Sequence, residues 1–359
     1  MGRKRLPDRR GIDGPKGISV GMKAKMNRRT FLLLGALAGL AAGIAVIHRN
    51  TRPMGIWTFS RWQARGLRQR LWGAPSIVAL GHSPDYGPGL LPSLRTLWRQ
   101  AEMPDVRGKR VLIKPNLVDC LGDRPITTAP EVVGAVADLM QEGGAREVTV
   151  GDGSAFRRET WPIAEANGLA AVLAARKLRF VDLNYDDPRP VPVQDKWLRR
   201  SPSFWLPNQV LQSDLIISLP KLKTHHWSGV SLSLKNLLGV VPGSRYGWPK
   251  NMIHVNGLAE SILGVYQLLP PVLAVIDGIV GMEGDGPLFG SPVPHGLLAV
   301  GRDPVAVDVI CTRLMGIPLD SVPHLRMAAW AGIGQAHRIE TRGIARENLQ
   351  RQYQPPPSL

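Results

Sequence analysis

Residues Asp214 to Gly239 read DLIISLPKLKTHHWSGVSLSLKNLLG. Leu215 to Leu219 is an unbroken apolar run of strand length, closed by Pro220, and it predicts a buried strand. Lys221, Lys223, Thr224, His225 and His226 follow at once, then a Ser/Gly segment, then Lys235 and Asn236. Cations and hydrogen-bonding groups are thus concentrated where a buried strand ends. In open α/β sheets that is where ligands bind. The segment is therefore expected to form one wall of a pocket for an anionic small molecule.

The same rhythm extends to both sides. Strands are predicted at Ser76–Leu80, Val111–Ile113, Glu147–Val150, Phe180–Leu183, Pro271–Ile276 and Leu297–Val300. Helices are predicted at Leu90–Ala101, from Thr127 to about Gln141, over 160–176, at Gly257–Leu269 and from Asp303 to Met315. Pro130 and Glu131 mark the start of the second helix, and Gly143-Gly144 its stop. Asp186–Arg200 reads as a polar, Pro-bearing excursion. Strands alternating with helices of this length give an α/β fold, a mostly parallel sheet with flanking helices. Right-handed crossovers place the ends of parallel strands on one edge. Lys114 and Asn116, Asp152 and Gly153, Lys221 to His226, and Asp277 to Asp285 are expected to face one crevice.

Each of these groups has a chemical reading and a bland one. Lys221 and Lys223, at i and i+2, point to one side of an extended segment and would neutralise an anion, or would form a solvated basic edge. Lys235, between Leu234 and Leu237, is costly to bury without an acidic partner. Adjacent His225 and His226 point to opposite faces, so a single one, His225, is the candidate, as a general base, a ligand or an anion donor, or it is an ordinary hydrogen-bonded histidine. Asp152 in Gly-Asp-Gly-Ser permits close backbone approach to a ligand, or makes an Asp-Gly turn. Asp277, Glu283 and Asp285 in a Gly-rich loop are oxygen ligands suited to a divalent cation, or they cap turns and pair with Lys.

Composition narrows the classes. The net charge of +17 invites a nucleic-acid reading, but through Trp72 there are sixteen Lys/Arg against two Asp. The remainder holds 45 − 16 = 29 basic and 28 − 2 = 26 acidic residues. The folded body is nearly neutral, and no nucleic-acid partner is expected. Cys120 and Cys311 have no Cys or His at metal-binding spacing, so the chain's own cysteines hold no iron–sulfur cluster.

The N-terminus carries the charge. Residues 1–26 are basic and are expected to be disordered. Asn27-Arg28-Arg29-Thr30-Phe31-Leu32-Leu33 opens an apolar run to Ile47. Residues 27–48 match a twin-arginine export signal or a signal anchor. Phe31 to Ile47 spans about 25 Å as a helix, short against a hydrocarbon core of about 30 Å. Export through the Tat translocase implies a body that works in the periplasm or at the outer face of the cytoplasmic membrane. Residues 49–74 interleave Trp57, Trp62 and Trp72 with arginines. They predict a helix that either lies on an anionic membrane surface or packs on the domain as a linker. Contact with a membrane surface is assigned to residues 28–72. The α/β domain is placed at 75–345, and 346–359 reads as a loose tail.

Ile113-Lys114-Pro115-Asn116, Thr128-Ala129-Pro130, Val150-Gly151-Asp152-Gly153, the Ser213–His225 and Ser233–Gly239 segments, Asp277–Pro287 and Asp303–Asp308 resemble the DUF362 family, a domain of unknown function. The likeness spans roughly residues 76–345. It implies a domain often described as iron–sulfur associated, because many relatives carry appended ferredoxin-like cysteine motifs. This chain departs from them in having none. The Gly-rich segment before Lys235 is also loosely similar to the nickel-pincer lactate racemase family.

Two functions fit. One is an exported enzyme acting on a small anionic substrate, with His225, Lys223 and Lys235 as catalytic groups. Lys114, Asn116, Asp152, Gly153, Lys221 and Asn236 would bind the ligand, and Asp277, Glu283 and Asp285 a divalent cation. The other is a non-catalytic cofactor-binding or redox-complex accessory protein using the same pocket.

Overall fold

Alternation along Leu215–Leu219 sends Leu215, Ile217 and Leu219 to one face of the sheet and Ile216 to the other. Both faces are covered, which is why the strand is apolar throughout. The computed structural model describes residues 56–193, 203–250 and 257–358. The stretches 1–26 and 27–48, with the twin-arginine signal, lie outside them.

The chain begins with helix α1 (Ile56–Trp72), β1 (Ser76–His82), α2 (Leu90–Gln100), β2 (Arg110–Pro115), α3 (Pro130–Glu142) and β3 (Glu147–Asp152). It continues through α4 (Trp161–Ala166), α5 (Leu169–Ala175), β4 (Arg179–Asp182), β5 (Pro188–Pro192), β6 (Ser203–Pro207) and α6 (Asn208–Gln212). Next come β7 (Leu215–Leu219), β8 (Lys221–His225), β9 (Gly229–Ser231), and the short helices α7 (Ser233–Asn236) and α8 (Gly243–Tyr246). Helix α9 (Leu258–Leu268), β10 (Val272–Glu283), β11 (Ser291–Gly301), α10 (Pro304–Leu314), α11 (Pro323–Ala331), β12 (Ile339–Gly343) and α12 (Arg346–Leu349) complete it.

The main sheet runs β12-β1-β11-β10-β7-β2-β3-β4. Along this path only β11 is antiparallel to its neighbours, among the described residues. One face packs against α2 to α5 and the other against α6, α7 and α9 to α11. The layers are thus helix, sheet, helix, as alternation predicts.

Pro220 explains the local architecture of the opening segment. It has no N–H for the ladder, so β7 ends there and the chain restarts as β8. β7 pairs with the first part of β10, and β8 with a later part, Asp277 opposite Lys221 and Met282 opposite Lys223. The basic segment after Pro220 is therefore itself a buried strand.

Two expectations are corrected. Asp277 to Glu283 is not a Gly-rich loop but the continuation of β10. Its glycines serve close packing: a Cβ at Gly278 would lie 2.9 Å from the Leu297 carbonyl oxygen, and one at Gly281 would strike the Tyr353 hydroxyl. Residues 346–359 are not a loose tail. Tyr353 is 1 % exposed, its hydroxyl lies 3.0 Å from His295 Nδ1, and its N–H donates to the Met315 carbonyl at 2.9 Å. The run of three prolines hid a core aromatic just before it.

Helix α1 packs on α11 through Gly66, where a Cβ would fall on the Trp330 carbonyl. Leu67, Leu71 and Trp72 remain exposed on the same helix.

Candidate anion-binding cavity

The ends of β2 and β3 meet α7 around a cavity of about 80 Å³. Of the residues singled out by sequence, Lys114, Asn116, Asp152, Gly153, His225, Lys235 and Asn236 line it. Ser154, Ser231 and Lys250 line it as well.

Lys114 and Asp152 form a buried ion pair at 2.5 Å. Lys114 Nζ also donates to Asn236 Oδ1 at 3.1 Å and the Pro115 carbonyl at 3.0 Å, so all three of its protons are committed. Burial pushes its pKa down and Asp152 opposes that push. Asp152 further accepts from the N–H of Leu117 at 2.7 Å and of Gly153 at 2.8 Å. Asn236 returns its amide to the Lys114 carbonyl at 3.0 Å and to Ser218 Oγ at 3.1 Å. A Cβ at Gly239 would fall on the Asp152 carboxylate and within 2.5 Å of Lys114 Nζ, so this corner needs glycine. Lys114 is a fixed cation that ties two strand ends to α7.

Lys235 is different. It sits on α7, whose first N–H groups, those of Ser233 and Leu234, each donate to Asp308 at 2.8 Å. Among the described residues its ammonium makes no hydrogen bond and no ion pair. Burial, then the nearby Lys114 charge, brings its pKa down to about 8. Lys250 Nζ donates to the carbonyls of Gly153 at 2.8 Å and Gly239 at 3.3 Å. Burial lowers its pKa to about 7 against the pull of Asp152. Three lysines thus face the cavity with one carboxylate, Asp152, among the lining residues.

Of the roles open to His225, the neutral ring's hydrogen bonding favours that of a donor. Its Nδ1 accepts from the Trp227 N–H at 3.1 Å, which places the proton of the neutral ring on Nε2. Burial, reinforced by Lys235, holds the ring well below the usual histidine range, so it stays neutral. His226 takes a separate partner, the Gly286 carbonyl, at 2.9 Å. His324, fully buried near Lys235, has neither ring nitrogen hydrogen-bonded among the described residues, and burial lowers its pKa to about 3. Asn116 Oδ1 is likewise buried without a partner.

Of the remaining predicted residues, Lys221 and Asp277 form a second, closed cluster with Tyr86. Lys221 Nζ lies 2.6 Å from Asp277 and 3.0 Å from the Tyr86 hydroxyl. Asp277 also accepts from Tyr86 at 3.2 Å and from the Ala129 N–H, at the start of α3, at 2.8 Å. Burial and the Asp277 charge raise the Tyr86 pKa, keeping its proton in place. Lys223 Nζ donates to the Ile126 carbonyl at 2.6 Å. Burial, then Lys235 and Lys221, hold its pKa well below the usual lysine value. The proposed carboxylate triad does not converge. Asp277 is committed to Lys221, Glu283 accepts from the Gln354 N–H at 2.9 Å, and Asp285 is exposed. Among the described residues no group of three His, Cys, Asp or Glu side chains could hold a metal ion.

Sequence reasoning missed Lys250, Tyr86 and His324. Lys250 has a left-handed φ of +65° and follows a Trp-Pro turn, outside any periodic element. Tyr86 sits in the irregular segment after β1. His324 begins a helix in a region for which no site was expected.

Residues 111–313, which carry the lysines of both clusters, match the family described as Domain of unknown function (DUF362). The chain belongs to this family. It is also 35 % identical over 269 residues to the thylakoid-associated protein sll1697 of Synechocystis sp., covering 72 % of this chain and 79 % of that protein. Among solved structures, the lactate racemase apoprotein of Thermoanaerobacterium thermosaccharolyticum is similar with a TM-score of 0.41 and 13 % identity. That match covers 70 % of this chain and 58 % of the racemase. A Thermotoga maritima protein is similar with a TM-score of 0.30 and 12 % identity, over 52 % of this chain and 50 % of its own. The chain thus spans between half and three-fifths of these two structures, and the family membership rests on the sequence matches.

Proposed function

We propose that the protein binds a small carboxylate- or phosphate-bearing anion in the cavity around Lys235. One observation carries the reading: a lysine held at the cavity with no partner among the described residues, beside two further lysines and one carboxylate. An anion there would meet Lys235, the third donor of Lys250 and the Nε2–H of His225 without moving the Lys114–Asp152 pair. At about 30 Å³ per water, the cavity has room for the anionic group of a ligand rather than a whole cofactor. A turnover reading would use Lys235 and Lys250 as its proton-transferring groups, because burial brings their pKa values down to about 8 and about 7.

The pH dependence tests this. Anion binding favours the protonated lysines, so affinity is greatest below about pH 7, where both carry their protons unaided. It should fall as pH rises through 7 and 8, approaching about tenfold per unit for each lysine that must take up a proton. Calorimetric titration with a panel of small carboxylates, phosphate and sulfate would measure it. Affinity that is flat from pH 6 to 9, or no binding by any of them, rejects the reading.

Export by the Tat route to the outer face of the membrane is proposed from the Arg28-Arg29 pair before Phe31-Leu32. The Arg28→Lys, Arg29→Lys variant should accumulate in the cytoplasm on fractionation, and unchanged export would reject it. Association with a membrane is supported by the name of the 35 % identical relative and by the exposed Leu67, Leu71 and Trp72 of α1. No helix among the described residues is long and apolar enough to cross a membrane.

A further inference from the structure

A second, larger cleft lies away from the lysines, between α1 and the segment from α10 to β12. Its volume is about 530 Å³, within the range of roughly 300–1,000 Å³ typical of ligand pockets. One wall is apolar, with Leu67, Val309, Leu325, Ala329 and Trp330. The charged groups are mostly cationic, Arg70, Arg313 and Arg326, with Asp320 the one carboxylate among the lining residues; His337 lines the cleft beside them. Arg70 and Arg313 make no ion pair among the described residues. They stand close enough to His337 that, with burial, their charges hold its pKa down. Arg326 lies over the Trp330 ring at 5.4 Å and donates to the Asp320 backbone carbonyl at 3.2 Å. An apolar trough with unneutralised guanidinium groups calls for an amphiphile with an anionic head. Its rim continues into apolar surface, with Leu67 at 57 %, Leu71 at 50 % and Trp72 at 73 % exposure.

We propose that this cleft binds a single-chain anionic membrane lipid, its chain against Leu67, Ala329 and Trp330 and its phosphate on Arg70 and Arg313. The inference deepens the membrane association proposed above, but it is tested apart from it, with a lipid that needs no bilayer. The probe is oleoyl lysophosphatidate below its micelle concentration, titrated into the full chain by tryptophan fluorescence, with stoichiometry from native mass spectrometry. One lipid per chain is expected, with oleoyl lysophosphatidylcholine at least tenfold weaker and inorganic phosphate unable to displace it. The Arg70→Ala, Arg313→Ala variant should bind at least tenfold more weakly, and Ala329→Trp, which fills the trough, should not bind. Should Ala329→Trp fail to fold, Leu67→Asp, at an exposed position, should still weaken binding tenfold. Equal binding of both lipids, or binding unchanged in these folded variants, overturns the proposal. A lipid-insensitive dimer that covers the cleft also overturns it. Vesicle binding without lysophosphatidate binding overturns the cleft and leaves membrane association standing.

Discussion

Replacing Lys235 with Met is expected to abolish small-anion binding and at the same time to raise the melting temperature. The two effects share one cause. Met keeps the volume and the unbranched shape but carries no charge, so α7 should keep its Asp308 cap. Binding loses a charge-assisted contact, which costs about 2–5 kcal/mol when one partner of a buried charged pair is removed. That is at least a thirtyfold loss. Stability moves the other way. Lys235 holds its proton less firmly in the fold, at about 8, than the usual value of about 10.4 in an unfolded chain. The unfolded state therefore binds more protons between those values, and stability rises with pH across that window. Below pH 8 the full cost of the buried charge is present, and Met removes it. A gain of about 1–3 kcal/mol at pH 7 follows, shrinking to nothing above pH 10. Thermal unfolding at pH 7 and pH 10, with titration of the anion identified by the panel, checks both. A Lys235→Met protein that melts lower, or binds as well, contradicts the assignment.

Asp277→Ala should be the most damaging single change in the body. The carboxylate is fully buried and holds Lys221, Tyr86 and the first turn of α3 at once. Its removal leaves the Lys221 ammonium buried with the Tyr86 phenol as its one hydrogen-bond partner among the described residues, a loss of about 3–5 kcal/mol. The double change Lys221→Met, Asp277→Leu should recover much of it, since a buried pair exchanged for apolar groups is often neutral. Urea denaturation measures both. A loss below about 1 kcal/mol in Asp277→Ala would show that the ion pair does not hold β8 to β10.

The part of the fold that repeats was legible in the sequence. Leu215–Leu219, Val111–Ile113 and Glu147–Val150 announce strands because each is apolar on both faces or bounded by turn residues. The cavity was half legible, because Lys114, Asp152 and Lys235 each follow such a strand or its extension. The errors have one source: a local signal with two physical meanings. Glycines at 278 and 281 suggested a loop, but they sit in a strand where neighbouring groups come too close for a Cβ. Asp277 suggested a metal ligand, but a carboxylate opposite Lys221 in a parallel pair satisfies itself. For His225 the sequence left base, ligand and anion donor open, and the Trp227 N–H selects the tautomer that makes it a donor. The partners of Gly278, Gly281 and Asp277 are set by register and tertiary packing, which a single sequence does not display, whereas the Trp227 N–H reaches His225 through a local turn.

Lys114 spends all three protons on Asp152, Asn236 and Pro115 before any ligand arrives. It can therefore neither swing toward a guest nor follow it out. Capture of the proposed anion would then restrain chiefly one arm, that of Lys235, at an entropic toll of about 0.5–1.5 kcal/mol. On the proposed anion-binding reading the pocket would be an anvil with a single moving jaw, and residence time would be governed by how fast that jaw lets go.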